Sequence, residues 1–170
     1  MRQHFSMLAA YNRWANAQVY DAAGELTAEE LNRDTGAFFK SLIGTLNHVL
    51  VADQIWLRRF TGSGSAPTAL NAVLFSELAP LRAAREAEDR RIVEWIAGLG
   101  DKELAGRFTY LTVTDMRTIS QRLAPALAHF FNHQTHHRGQ AHAILTALKK
   151  PSIVLDMVYF QRTEEGREYA

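Results

Sequence analysis

The chain has 170 residues, 47% of them hydrophobic, which suits one domain with a sizeable core and no long Pro, Gly or Ser linker to divide it. Its net charge of +1 comes from Lys and Arg scattered among Asp and Glu, so the electrostatic footprint of a nucleic-acid binder is missing. Cysteine is absent, which excludes disulfides, Cys-ligated zinc, iron–sulfur clusters and a protein thiol nucleophile, and leaves any bound metal to His, Asp or Glu.

At the N-terminus, M-R-Q-H-F-S-M-L lacks the apolar run and cleavage site of a signal peptide. No later stretch approaches the ~18 apolar residues of a membrane span, so a soluble cytoplasmic protein is expected. Apolar residues recur at helical spacing over four long segments, 3–23, 40–61, 76–98 and 120–148. In the first, Phe5, Leu8, Ala15 and Val19 mark the inner face; in the second, Leu42, Leu46, Val49, Leu50, Leu57 and Phe60 do so. The stretch T-G-S-G-S-A-P-T at 61–68 ends the second helix and is too long for a tight antiparallel turn, which points to a crossover connection.

The third segment carries Leu78, Leu81, Ile92, Trp95, Ile96 and Leu99 on one side; Pro80 fits only in its first turn, and Gly98 and Gly100 mark its end. Between 107 and 119 the chain turns aromatic and β-branched, predicting a small hairpin with its turn at Thr114-Asp115. Pro151 stops the fourth helix, and residues 152–163 are read as a short closing helix packed through Val158, Tyr159 and Phe160. The expected fold class is all-α: one domain over 1–170, a four-helix bundle with one crossover, a small hairpin and a short C-terminal helix.

The fourth segment holds A-H-F-F-N-H-Q-T-H-H-R-G-Q-A-H, in which His129, His133 and His137 recur every four residues. Residues four apart stack on one helix face, so two imidazoles can meet one cation. Rotation by ~100° per residue puts Leu123, Phe130, Ala141, Ile144, Leu145 and Leu148 on a common side. His137 falls in that stripe, His133 at its margin, His129 further round, and His142 opposite. Two ligands from one turn need a third from elsewhere, and His48 is the histidine that the second helix offers. Three neutral ligands with one open position make the arrangement of a catalytic rather than a structural zinc.

Gln134 stands where an H-E-x-x-H protease needs its general base, and the paired Glu-x-x-His segments of di-iron bundles are absent, so a single-metal centre is favoured. Asp53 and Asn12 interrupt the apolar stripes of the second and first helices, and a buried hydrogen-bonded connection between those two helices is expected. Orientation of a ligand histidine by Asp53 is the alternative. Arg85 and Glu88 are read as an ion pair at the rim, with the lining of a substrate pocket near the metal as the alternative. Arg138 is read as a solvated surface group, with contact to an anionic substrate or a pocket cap as its alternative. Gln140 could contact an anionic substrate or cap a pocket. Trp14, Trp56 and Trp95 are read as core or interface aromatics.

Y-N-R-W-A-N in the first helix, L-N-H-V-L-V-A-D-Q-I-W-L in the second and H-F-F-N-H-Q-T-H-H-R-G-Q in the fourth resemble the DinB (damage-inducible) family of metal-binding bundles, over nearly the whole chain. That resemblance implies up-down-down-up topology, a homodimer, and a divalent metal held by residues that map onto His48, His133 and His137; imidazole ligands make zinc or nickel the expected ion. The resemblance also implies a small thiol such as bacillithiol, mycothiol or glutathione as cosubstrate of a transferase acting on a small molecule. A metal-dependent hydrolase and a noncatalytic, metal-stabilised binding or stress-response module remain open beside it.

Overall fold

The computed structural model describes residues 1–112 and 115–170; Thr114, half of the expected hairpin turn, lies outside the described residues. Four long helices dominate: α1 (Arg2–Gly24), α3 (Leu42–Thr61), α4 (Leu78–Ala97) and α6 (Leu123–Ala147). Short helices α2 (Ala28–Asn32) and α5 (Asp101–Ala105) occupy two of the connections, and α7 (Met157–Phe160) follows α6. Ser41 begins α3 by accepting a hydrogen bond from the Gly44 amide, and Gly62 ends it at φ 72°, where a side chain would be strained.

Strands β1 (Arg107–Leu111) and β2 (Thr118–Arg122) pair antiparallel, with Arg107 opposite Arg122 and Leu111 opposite Thr118. The chain is therefore mostly helical with a small sheet, and not purely all-α as expected. Residues 120–122, expected in the fourth helix, belong to β2, because alternating half-buried side chains and a partner strand give that backbone a ladder to join. The helix then opens at Leu123, which leaves Pro125 in its first turn.

α1 packs on α4 and α6, and α3 packs on the same two. Arg2 bonds the Ala97 carbonyl and Arg82 bonds Asp21, so α1 and α4 run in opposite directions. Beside a smaller cluster around Phe160, two apolar clusters fill the interior. Val19, Leu42, Leu46, Leu50, Leu81 and Leu145 belong to one, and Phe5, Leu57, Ile92, Ile96, Leu127 and Phe130 to the other.

A polar layer divides these clusters along every long helix. Arg85 bonds Asp53 at 2.5 Å and pairs with Asp89 at 3.0 Å. Asp89 accepts from Asn12 and Asn16, whose side-chain oxygens accept from Arg138. Arg85 thus faces both carboxylates, while the buried Arg138 is met by neutral amide oxygens and linked to Asp89 only through Asn12 and Asn16.

The expected buried connection between the first two long helices, α1 and α3, runs from Asn12 through Asp89 and Arg85 on α4 to Asp53. Two expectations are corrected here. Arg85 lies in the core, while Glu88 pairs with Arg91 at 3.2 Å. Arg138 is 4% exposed and stacks over Tyr11 rather than reaching solvent. The closing helix also differs in detail. Phe160 alone is buried, against Tyr11 and Trp14, whereas Val158 and Tyr159 stay about half exposed because α7 has a single turn and only one inward face. Trp95 stacks on Phe60. Among the described residues no helix is long and apolar enough to cross a membrane.

Candidate metal centre

α3 contributes His48, and α6 contributes His133 and His137 one turn apart on a shared face. His48 lies off the main stripe of α3, yet it is buried because α6 and the 62–77 connection cover that side. The His48 and His137 Nε2 atoms are 3.2 Å apart, and His137 Nε2 is 3.0 Å from His133 Nε2. One nitrogen from each of the three rings falls within 4.8 Å of the other two, a group that can hold a metal ion. Tetrahedral ligation at 2.0–2.1 Å would place such nitrogens roughly 3.4 Å apart, close to the spacing seen.

The outer nitrogens of His48 and His137 are spoken for. His48 Nδ1 lies 2.8 Å from the Leu70 carbonyl, which can only accept, so Nδ1 carries the proton. His137 Nδ1 lies 2.7 Å from Gln140 Oε1, and the Gln140 amide nitrogen turns to His136 Nε2 at 3.2 Å, so that ring too is protonated on Nδ1. Each facing Nε2 therefore presents a lone pair. Two lone pairs at 3.2 Å repel unless a cation lies between them, and the donor set fits a divalent ion.

Burial pushes the His133 pKa down to about 3, helped by the neighbouring His137 and His48 rings. Burial likewise pushes His137 down to about 4 against the opposing hydrogen bond that its Nδ1 donates to Gln140, and lowers His48 against the Leu70 carbonyl. All three rings are neutral at physiological pH, the form that binds metal.

The comparison with known proteins agrees with this arrangement. The DinB family model matches residues 1–168. The chain belongs to the DinB family. It is 28% identical over 141 residues to Protein DinB of Bacillus subtilis (strain 168), an alignment covering 81% of this chain and 82% of that one.

In this DinB-family chain the other histidines stand apart from the cluster. His129 is exposed and sits edge-on to Trp56, 5.2 Å between ring centroids. His136 holds Gln140, and His142 faces Ser152 at 2.9 Å. Asp53 bonds Arg85 and no histidine, so the ring-orienting role weighed for it falls to Leu70 and Gln140. Gln134 is fully buried and hydrogen-bonds none of the three rings.

Sequence reasoning missed Phe39, which stacks on His48 with centroids 3.9 Å apart. A Cβ at Gly44 would collide with the Phe39 carbonyl oxygen, so the glycine lets this segment close over the ring. Gly44, one turn before His48, does not tell which residue approaches it, so the sequence carried no signal for Phe39. A cavity of about 250 Å³ reaches His48 and His133 between α3, β1 and α6; Ile55, Trp56, Arg59 and Tyr110 form part of its wall. A smaller one of about 130 Å³, between α1 and α4, has no histidine in its lining.

Proposed function

We propose that this protein binds one divalent cation, zinc or nickel, through His48, His133 and His137, and works as a metal-dependent transferase of a small thiol on a small-molecule substrate. The observation that carries the reading is the 3.2 Å approach of two Nε2 lone pairs whose rings have already donated their other proton. When bound, the cation supplies Lewis acidity and, with three neutral ligands, an undiminished positive charge that favours a thiolate at neutral pH. The chain's own part is to hold the rings: Leu70 fixes His48, Gln140 fixes His137, and Phe39 covers the His48 face. The adjoining cavity supports a catalytic role over a purely structural one, since it gives a small molecule access to the histidines.

The reading includes an up-down-down-up four-helix bundle. The Arg2–Ala97 and Arg82–Asp21 bonds support opposed α1 and α4, and the Asp53–Arg85 pair beside the Thr61–Arg91 bond supports parallel α3 and α4 joined by the long 62–77 crossover. A cytoplasmic homodimer belongs to the same proposal, and light scattering would test the dimer. Calorimetry with bacillithiol, mycothiol and glutathione, before and after chelation, tests the function: heat from at least one thiol that disappears with the metal is expected. Heat indifferent to chelation, or silence across all three beside metal-dependent ester hydrolysis, would overturn the thiol assignment.

A further inference from the structure

Arg59 stands apart from the other cations near the centre. Its guanidinium lies 4.7 Å from the Trp56 ring centroid and 4.5 Å from that of Tyr110, against the corner formed by two rings that themselves meet edge to face at 5.5 Å. Among the described residues it makes no hydrogen bond and no ion pair, whereas its neighbour Arg58 donates to the Gly64 carbonyl and Arg91 to the Ser63 carbonyl. Stacking satisfies the flat face of a guanidinium and leaves its edge donors free. Arg59 borders a pocket beside Arg58 and Thr109 and also lines the neighbouring cavity that reaches His48 and His133, where no Asp or Glu shares the wall. Arg59 is the one residue of the lining that is charged at every physiological pH.

We propose that Arg59 is the anchor for an oxyanion, a carboxylate or phosphate, at the far end of an elongated substrate whose reactive end lies at the three histidines. This rests on the metal-centre reading for the location of the reactive end, and on the Arg59 clamp alone for the anionic end. A guanidinium immobilised on two rings has already lost most of its side-chain freedom, so an incoming oxyanion meets a preorganised fork rather than a mobile side chain.

The length follows from the helix. His48 and Arg59 are eleven residues apart on α3, just over three turns and about 16 Å along the axis, and return to almost the same face. Arg59 folds back over Trp56, nearly one turn closer to His48, which leaves a span on the order of 10 Å for the ligand. A molecule with its acid next to its reactive atom is too short to reach both. One with a chain of several atoms between them fits.

The test uses 6-mercaptohexanoate, 6-mercaptohexanol and 3-mercaptopropionate on metal-loaded protein, with hexanoate and hexyl phosphate on protein stripped by chelation. Calorimetry should show 6-mercaptohexanoate binding at least about tenfold tighter than the alcohol and tighter than the short acid, a preference that Arg59→Met removes while metal content stays unchanged. Met keeps an apolar stem against Trp56 and Tyr110, and Arg59→Lys should retain part of the preference. Tight hexanoate identifies a carboxylate, and tight hexyl phosphate a phosphate, in each case lost in Arg59→Met. Equal affinity for the acid and the alcohol, or a preference that survives Arg59→Met, would overturn the proposal. If the purified protein takes up no metal, the centre fails as read, while the stripped-protein arm still decides whether Arg59 holds an oxyanion.

Discussion

His48 and His137 meet nitrogen to nitrogen at 3.2 Å while each gives its remaining ring proton to a different acceptor, the Leu70 carbonyl and the Gln140 amide oxygen. Helices α3 and α6 thereby turn two lone pairs toward each other, an arrangement that is costly when empty and favourable around a cation.

Gln140 accordingly sets the tautomer of His137 without itself being a ligand. Gln140→Leu should weaken metal affinity by about 10- to 100-fold, with little change in the unfolding midpoint of metal-stripped protein. Competition with a chromogenic chelator measures it, and an affinity equal to wild type would show that the hydrogen bond does not matter.

The depressed histidine pKa values carry a pH signature. In metal-stripped protein the folded chain keeps His133 neutral down to about pH 3 and His137 to about pH 4, while the unfolded chain protonates both near 6.5. The unfolded state then binds more protons below pH 6.5, so this contribution is fully present above that pH and is lost as pH falls toward 4. Urea unfolding between pH 7 and 5 should show wild type losing stability more steeply than His133→Gln, a comparison in which the other titrating groups cancel. Parallel slopes would contradict the burial of a neutral His133.

Asp53 tests the polar layer. Removing one member of a buried ion pair leaves its partner undercompensated, so Asp53→Ala should cost about 3–5 kcal/mol by urea unfolding. Adding Arg85→Met should recover part of that loss. A cost below about 1 kcal/mol would mean that water reaches Arg85.

The four long helices were legible because each repeats an apolar stripe through several turns, and the facing of His133 and His137 followed from the same periodicity. Arg85 and Arg138 were misread because charge alone argues for the surface; what buries them is a set of partners on other helices, Asp53 for one and Asn12 with Asn16 for the other. The Leu70 carbonyl left no trace, since a backbone oxygen in an irregular connection has no side-chain signature. Phe39 was equally silent: it precedes Lys40, whose φ of 66° makes a turn that a lysine does not announce. The start of α6 moved because Thr118–Arg122 reads as the end of a hairpin only once Arg107–Leu111 is seen beside it.

Elemental analysis of purified wild type, His137→Ala and His142→Ala tests the centre most directly. His137 supplies the nitrogen nearest both other ligands, whereas His142 points to Ser152. About one equivalent of divalent metal per chain is expected in wild type and His142→Ala, with severe loss in His137→Ala. Equal metal content in the two variants, or none in wild type after growth and refolding with zinc and nickel, would contradict a cation gripped by His48, His133 and His137.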